Sequence, residues 1–115
     1  MSENFFEMML GDDGATASST NGEAKIVQIA QMTFQATNVI ASGTGAVVVV
    51  IEASDEKDVA AASRKWVTLG TITLSSTTLS DGFASNAPWA LVRARAVTVT
   101  PGSTVKCRMS RAGIV

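Results

Sequence analysis

The chain has no histidine, no tyrosine, a single cysteine and two prolines in 115 residues. Without histidine it lacks the usual near-neutral proton shuttle and the commonest zinc ligand, and without tyrosine it lacks a phenolic acid or nucleophile. A serine nucleophile would need a lysine or an amino terminus as its base, and no serine–lysine spacing stands out. Cys107 has no partner for an internal disulfide, which fits a reducing compartment or indifference to redox. Long apolar runs are missing too. The longest, Ala46–Ile51, stops at Glu52, far short of the roughly 20 residues that span a bilayer. The apolar start Phe5-Phe6-Glu7-Met8-Met9-Leu10 carries Glu3 and Glu7 where a signal peptide needs basic residues, so it is expected to remain on the mature protein, with no membrane partner.

Metal and cofactor chemistry finds little support. Asp55, Glu56 and Asp58 cluster near Glu52, but without the alternating oxygen ligands and central glycine of a calcium loop, so a solvated acidic turn is expected. Gly43 and Gly45 precede no helical pattern and make no phosphate loop. No catalytic, cofactor-binding or metal-ligating residue is therefore assigned, and the chain is expected not to be an enzyme.

What is present is a domain-sized, 46% hydrophobic sequence that can bury about two-thirds of its unfolded surface around one core. Its net charge of −1 conceals an asymmetry: residues 1–58 carry −7 and residues 59–115 carry +6. Such a split suits contact between parts of the molecule or between copies; nucleic acid would call for an overall basic balance.

Residues 1–23 read as an arm and linker. The apolar head is followed by the small, polar, glycine-bounded stretch Gly11–Gly22, which spans up to about 40 Å when extended, enough to reach a neighbouring subunit. A frayed terminus is the plainer reading of the same residues. Residues 24–115 read as strands: Lys25–Phe34, Gly45–Ser54, Trp66–Leu69, Thr71–Leu74, Trp89–Thr100 and Ser103–Ser110, separated by Gly, Pro, Asn, Asp and Ser. Only Asp55–Arg64 could turn helically. Short strands with frequent turns imply an all-β, single antiparallel β-sandwich preceded by an extended N-terminal arm.

Thr100-Pro101-Gly102-Ser103 fits a type II turn, which predicts a hairpin with residues 100 and 103 paired. That register puts Val92, Ala94, Ala96, Val105, Cys107 and Met109 on one face and Arg93, Arg95, Lys106 and Arg108 on the other. Cys107 is then a core thiol, and the basic strip needs carboxylates from the N-terminal half or from a partner. Val47–Ile51 is apolar on both faces, so its outer face needs a crossing loop or a subunit contact. Trp66 and Trp89, the residues a sugar platform would use, sit beside Val67, Leu69, Leu91 and Val92 and are expected in the core.

The stretches Ile51-Glu52-Ala53-Ser54-Asp55, Trp66–Leu74, Ser80-Asp81-Gly82-Phe83 and Pro88-Trp89-Ala90-Leu91-Val92-Arg93-Ala94-Arg95 together resemble small β-sandwich proteins of tailed-bacteriophage virions. The similarity is to the capsid cement or decoration type, including jelly-roll proteins that staple neighbouring shell subunits, and it covers about residues 45–110. Such sequences often place a tight Asn/Asp-Gly turn before the tryptophan, where this chain has the longer, alanine-rich and glycine-free Asp55–Arg64. The resemblance implies a jelly-roll-like fold, no catalytic residues, and a structural virion protein on the capsid exterior, made in the bacterial host cytoplasm. Its partners would be the major capsid protein and further copies of itself. Phe5, Phe6, Met8, Met9 and Leu10 would dock the arm onto a neighbour, with Arg93, Arg95, Lys106 and Arg108 as further interface residues. Removing residues 1–22 is then expected to leave a folded domain. The alternatives are a carbohydrate-binding module on a phage fibre or host-facing surface, or another head or tail component.

Overall fold

The computed structural model describes residues 2–26, 31–40, 45–86 and 89–114, with side chains for residues 7–25, 31–40, 45–86 and 89–110. Alternation sets the inner faces. In β4 (Met32–Ile40) the residues Met32, Phe34, Ala36 and Asn38 are buried while Thr33, Gln35 and Val39 are exposed. In β8 (Leu91–Val99) Val92, Ala94 and Ala96 turn inward, and in β9 (Ser103–Ile114) Val105, Cys107 and Met109 do the same. A side-chain period of two lets each of these strands bury one whole face against an opposing sheet.

The other strands are β1 (Ser2–Met8), β2 (Thr20–Asn21), β3 (Lys25–Ile26), β5 (Val47–Ser54), β6 (Val67–Leu74) and β7 (Ser80–Ser85). One sheet runs β1-β9-β4-β7. The other runs β2-β8-β5-β6, with β3 also on β8. All pairings are antiparallel. Pairing β1 with β9, β2 and β3 with β8, β4 with β7 and β5 with β6 wraps the chain as a jelly roll. Between the sheets lie Met9, Leu10, Phe34, Val47, Val49, Ile51, Ile72, Leu74, Val92, Val105 and Met109, with Leu69, Phe83 and Trp89 packed against them. The Phe34 and Phe83 rings stand 5.3 Å apart, and Gly70 lacks a side chain where the Phe83 ring passes: a Cβ there would come within 2.6 Å of it. The stretch Asp55–Arg64 contributes only a 3-10 turn, Ala61–Ser63.

The expected β8–β9 hairpin does not form. The turn itself is present, with the Ser103 amide donating to the Thr100 carbonyl at 3.0 Å and Gly102 at φ 92°. Its strands diverge into opposite sheets, β8 pairing with β5 and β9 with β4. A type II turn does not match the twist of a tight hairpin, and here it serves as a corner between sheets. The predicted apolar face survives because the inner faces of both sheets meet in one core. The predicted basic strip does not: Arg93 and Arg95 project from one outer face, Lys106 and Arg108 from the other.

The arm is likewise reassigned. Residues 2–8 pair along β9, the Met9 amide donates to the Cys107 carbonyl at 2.8 Å, and Ala15 bridges to Val105. Met9 and Leu10, expected to dock on a neighbour, are 0% and 6% exposed in the chain's own core. Burying two large side chains and completing an antiparallel ladder outweighs leaving this segment extended in solvent. Met8 is half-buried; the side chains of Phe5 and Phe6 lie outside the described residues. The structural unit therefore crosses the expected boundary at residue 23, and the segment Gly11–Gly22 runs over the sandwich. Gly22 shows how closely: its amide donates to the Ala94 carbonyl at 2.7 Å, and a Cβ would sit 1.9 Å from the Met9 carbonyl oxygen.

Candidate interaction site

β5 lies inside its sheet, between β8 and β6. Val47, Val49, Ile51 and Ala53 face the core, which leaves Val48, Val50, Glu52 and Ser54 on the outer side. Val50 is 9% exposed there, between Arg95 on β8 and Thr71 on β6. The long aliphatic stem of an arginine beside it in the ladder can shield a valine while the guanidinium reaches outward. Val50 is thus covered within the chain, while Val48 on the same side is half-buried.

Glu52 organises that face. It lies across from Arg93 in the ladder and is 7% exposed. Its Oε1 accepts from Arg93 Nε at 2.9 Å, and its Oε2 lies 3.5 Å from Arg95 Nη2. One carboxylate thus spans two cations two residues apart on a strand. The carboxylate expected to cover Arg93 and Arg95 comes from the N-terminal half of the same chain. The sequence signal was an isolated acid ending an apolar run, in the period-two phase that points outward.

Trp66 joins this cluster. It is half-buried and lies outside the core, with the Arg93 guanidinium carbon 4.2 Å from its ring centroid. This corrects the expectation of a core residue, and the cause is a bulge. The β5–β6 register shifts between Ile51 and Glu52: Ile51 faces Gly70, but Glu52 faces Thr68. The extra residue, Leu69, reverses the side-chain phase of everything before it. Trp89 packs against the core as expected.

The acidic turn is committed to its own backbone. Arg64 donates from Nε to the carbonyls of Glu56 at 3.1 Å and Val59 at 3.0 Å, and from Nη2 to Lys57 at 3.3 Å. Glu56 accepts from the Lys65 amide, and Asp55 from the Ala90 amide at 3.0 Å. Among the described residues no group of three Cys, Asp or Glu is placed to hold a metal ion. Cys107 is fully buried, and burial pushes its thiol up to about 12, so it is held as a neutral core group. No helix among the described residues is long and apolar enough to cross a membrane.

Lys106 and Arg108 stand on the opposite face. Arg108 lies across from Gln35 and Lys106 across from Thr37 on β4, and the four line a cleft of about 210 Å³. Ser80 of β7, beyond the cleft, holds two of its lining residues: it accepts from Gln35 Nε2 at 2.9 Å, shares a hydrogen bond with Thr37 Oγ1 at 3.0 Å, and donates to the Ala36 carbonyl at 3.2 Å. Neither cation takes part in an ion pair among the described residues.

No protein-family model matches the chain, and no curated protein sequence matches it. Solved structures share its fold. The SPBc2 prophage-derived protein YomS superposes with a TM-score of 0.67 at 12% identity, over 98% of this chain and 96% of that one. A chain of the Triatoma virus empty capsid superposes with a TM-score of 0.50 at 10% identity, over 98% and 86%. At these identities the likeness is one of architecture, which agrees with the jelly-roll order of the strands.

Proposed function

We propose that the chain is a non-enzymatic structural component of a bacteriophage particle, which binds the outer surface of the capsid and stabilises it. The observation that carries this reading is the end-to-end likeness of the sandwich to a prophage-derived protein, joined by the likeness to a viral capsid chain. The side chains support it in their own way: Arg64 and Glu56 hold a loop, Glu52 pairs with Arg93 and Arg95, and Lys106 and Arg108 are left on an outer face where a partner can reach them. Stabilisation would work by mass action, since a protein that binds only the assembled shell shifts the equilibrium toward assembly. The major capsid protein is the proposed partner.

The test is co-sedimentation of the purified protein with shells of the phage that encodes it, followed by heating with and without the protein bound. Saturable binding and a higher disruption temperature are expected. Binding to tails or fibres, with bare shells left empty, would assign it to another part of the particle. One observation favours a second reading, carbohydrate binding: Trp66 is outside the core. Arg93 covers one face of its ring, so a sugar would have to stack on the opposite face. A glycan array on wild type and Trp66→Ala decides it, and a Trp66-dependent signal would displace the capsid reading.

A further inference from the structure

The chain carries two pairs of cations built on the same plan. Arg93 and Arg95 stand two residues apart on β8, a spacing of roughly 7 Å on one face of a strand, and Glu52 bridges them from the neighbouring strand. Lys106 and Arg108 stand two residues apart on β9, on the outer face of the other sheet. The positions across from them on β4 hold Thr37 and Gln35, neutral where the first pair has its carboxylate. β9 lies between β1 and β4, so this pair occupies the middle of a face and not a rim.

We propose that Lys106 and Arg108, with Gln35 and Thr37, form a carboxylate-binding cleft that takes an aspartate or glutamate side chain from an acidic segment of a partner protein. The chain contains its own template for the bound state, since the Glu52 carboxylate between Arg93 and Arg95 is the arrangement that an incoming carboxylate would reproduce. An arginine fork donates to both oxygens of a carboxylate and a lysine adds a point charge, which matches this pair of residues. The walls are set in advance. Ser80 holds the Gln35 amide and the Thr37 hydroxyl, and Lys106 is half-buried with its stem running beside Gly14, where a Cβ would stand 3.0 Å from Lys106 Cγ. The cleft, at about 210 Å³, admits one side chain and not a folded ligand. This deepens the proposed capsid-binding role by naming the surface and the chemistry it recognises.

The probe is a fluorescein-labelled decaglutamate peptide, titrated by anisotropy against the full chain at low and physiological salt. The Lys106→Gln/Arg108→Gln double variant is expected to lose at least tenfold in affinity. Lys57→Gln/Lys65→Gln, which removes the same charge from the far loop, is expected to stay within twofold of wild type. Equal losses in the two variants, or no binding by wild type, overturn the proposal. Tighter binding of a ten-nucleotide oligothymidylate than of the peptide also overturns it, by assigning the cleft to phosphate. Amide shifts in the wild-type protein on adding the peptide give a readout that needs no variant to fold: they should centre on residues 35, 37, 106 and 108, and shifts confined elsewhere refute the site. Peptide binding without shell binding would keep the cleft and remove the capsid as its partner.

Discussion

Replacing Glu52 by glutamine removes one charge and almost no volume, and so isolates the electrostatics of the Arg93–Glu52–Arg95 cluster. The short contact to Arg93 is charge-assisted and largely shielded, and such bonds contribute about 1.5–3 kcal/mol each. The contact to Arg95 is longer, 3.5 Å, and that side chain is 37% exposed, so screening by water and salt reduces it to a few tenths of a kcal/mol by the standard of surface pairs. The amide of glutamine can keep one hydrogen bond to Arg93, which returns part of the loss, but it leaves two adjacent guanidinium groups without a counter-charge. The net cost is about 2 kcal/mol. Urea denaturation at low salt should show this as a lower midpoint with an unchanged slope, and thermal melting as a fall of roughly 5–10 °C for a domain of this size. A double-mutant cycle with Arg93→Gln should give a coupling of about 1–2 kcal/mol. A loss below about 0.5 kcal/mol, with no coupling, would mean that desolvation cancels the attraction, and the structural role given to Glu52 would fail.

Three further outcomes follow from the same geometry. Deleting residues 1–10 removes β1, Met9 and Leu10; with about 2–5 kcal/mol for each buried side chain lost, the cost approaches the whole stability of a small domain, and circular dichroism should show an unfolded or strongly destabilised chain. Gly22→Ala should force the Met9 carbonyl aside, seen as faster hydrogen exchange at Met9 and Gly22 while the amides of β5 stay protected. The Cys107 thiol titrates near 12 when folded and near 9 when exposed, so unfolding releases a proton between those values: stability is unaffected below pH 9 and should fall by up to about 1.4 kcal/mol per pH unit above it, relative to Cys107→Ala.

The fold class was legible because period-two alternation in β4, β8 and β9 exposes the inner faces to inspection, whichever strands they pair with. Pairing itself was not. Pro101-Gly102 makes the same turn whether its flanking strands stay together or part company, and only the opposing sheet, assembled from distant residues, decides between them. The fate of Met9 and Leu10 was half legible: their hydrophobicity demands burial, but the partner is Cys107's strand, nearly a hundred residues away. Trp66 was illegible for a local reason, since one inserted residue, Leu69, reverses the face and leaves no mark in composition. Of the basic residues the identity and outward direction were readable, and their division between two faces was not. Glu52 was visible as an anomaly in an apolar run, with its use hidden until β5 and β8 were seen side by side.

The pairing of β1 with β9 also sets a schedule. At about 5–20 residues per second of synthesis, the apolar residues near the N-terminus wait on the order of ten seconds for residues 103–114 to be made. Until then the β2-β8-β5-β6 sheet has all its strands but the other has not, and β4 lacks the neighbour that separates it from β1. The sandwich can close only late, in one step that brings its earliest and latest strands together, and the nascent chain must keep its first segment out of aggregates for that whole interval.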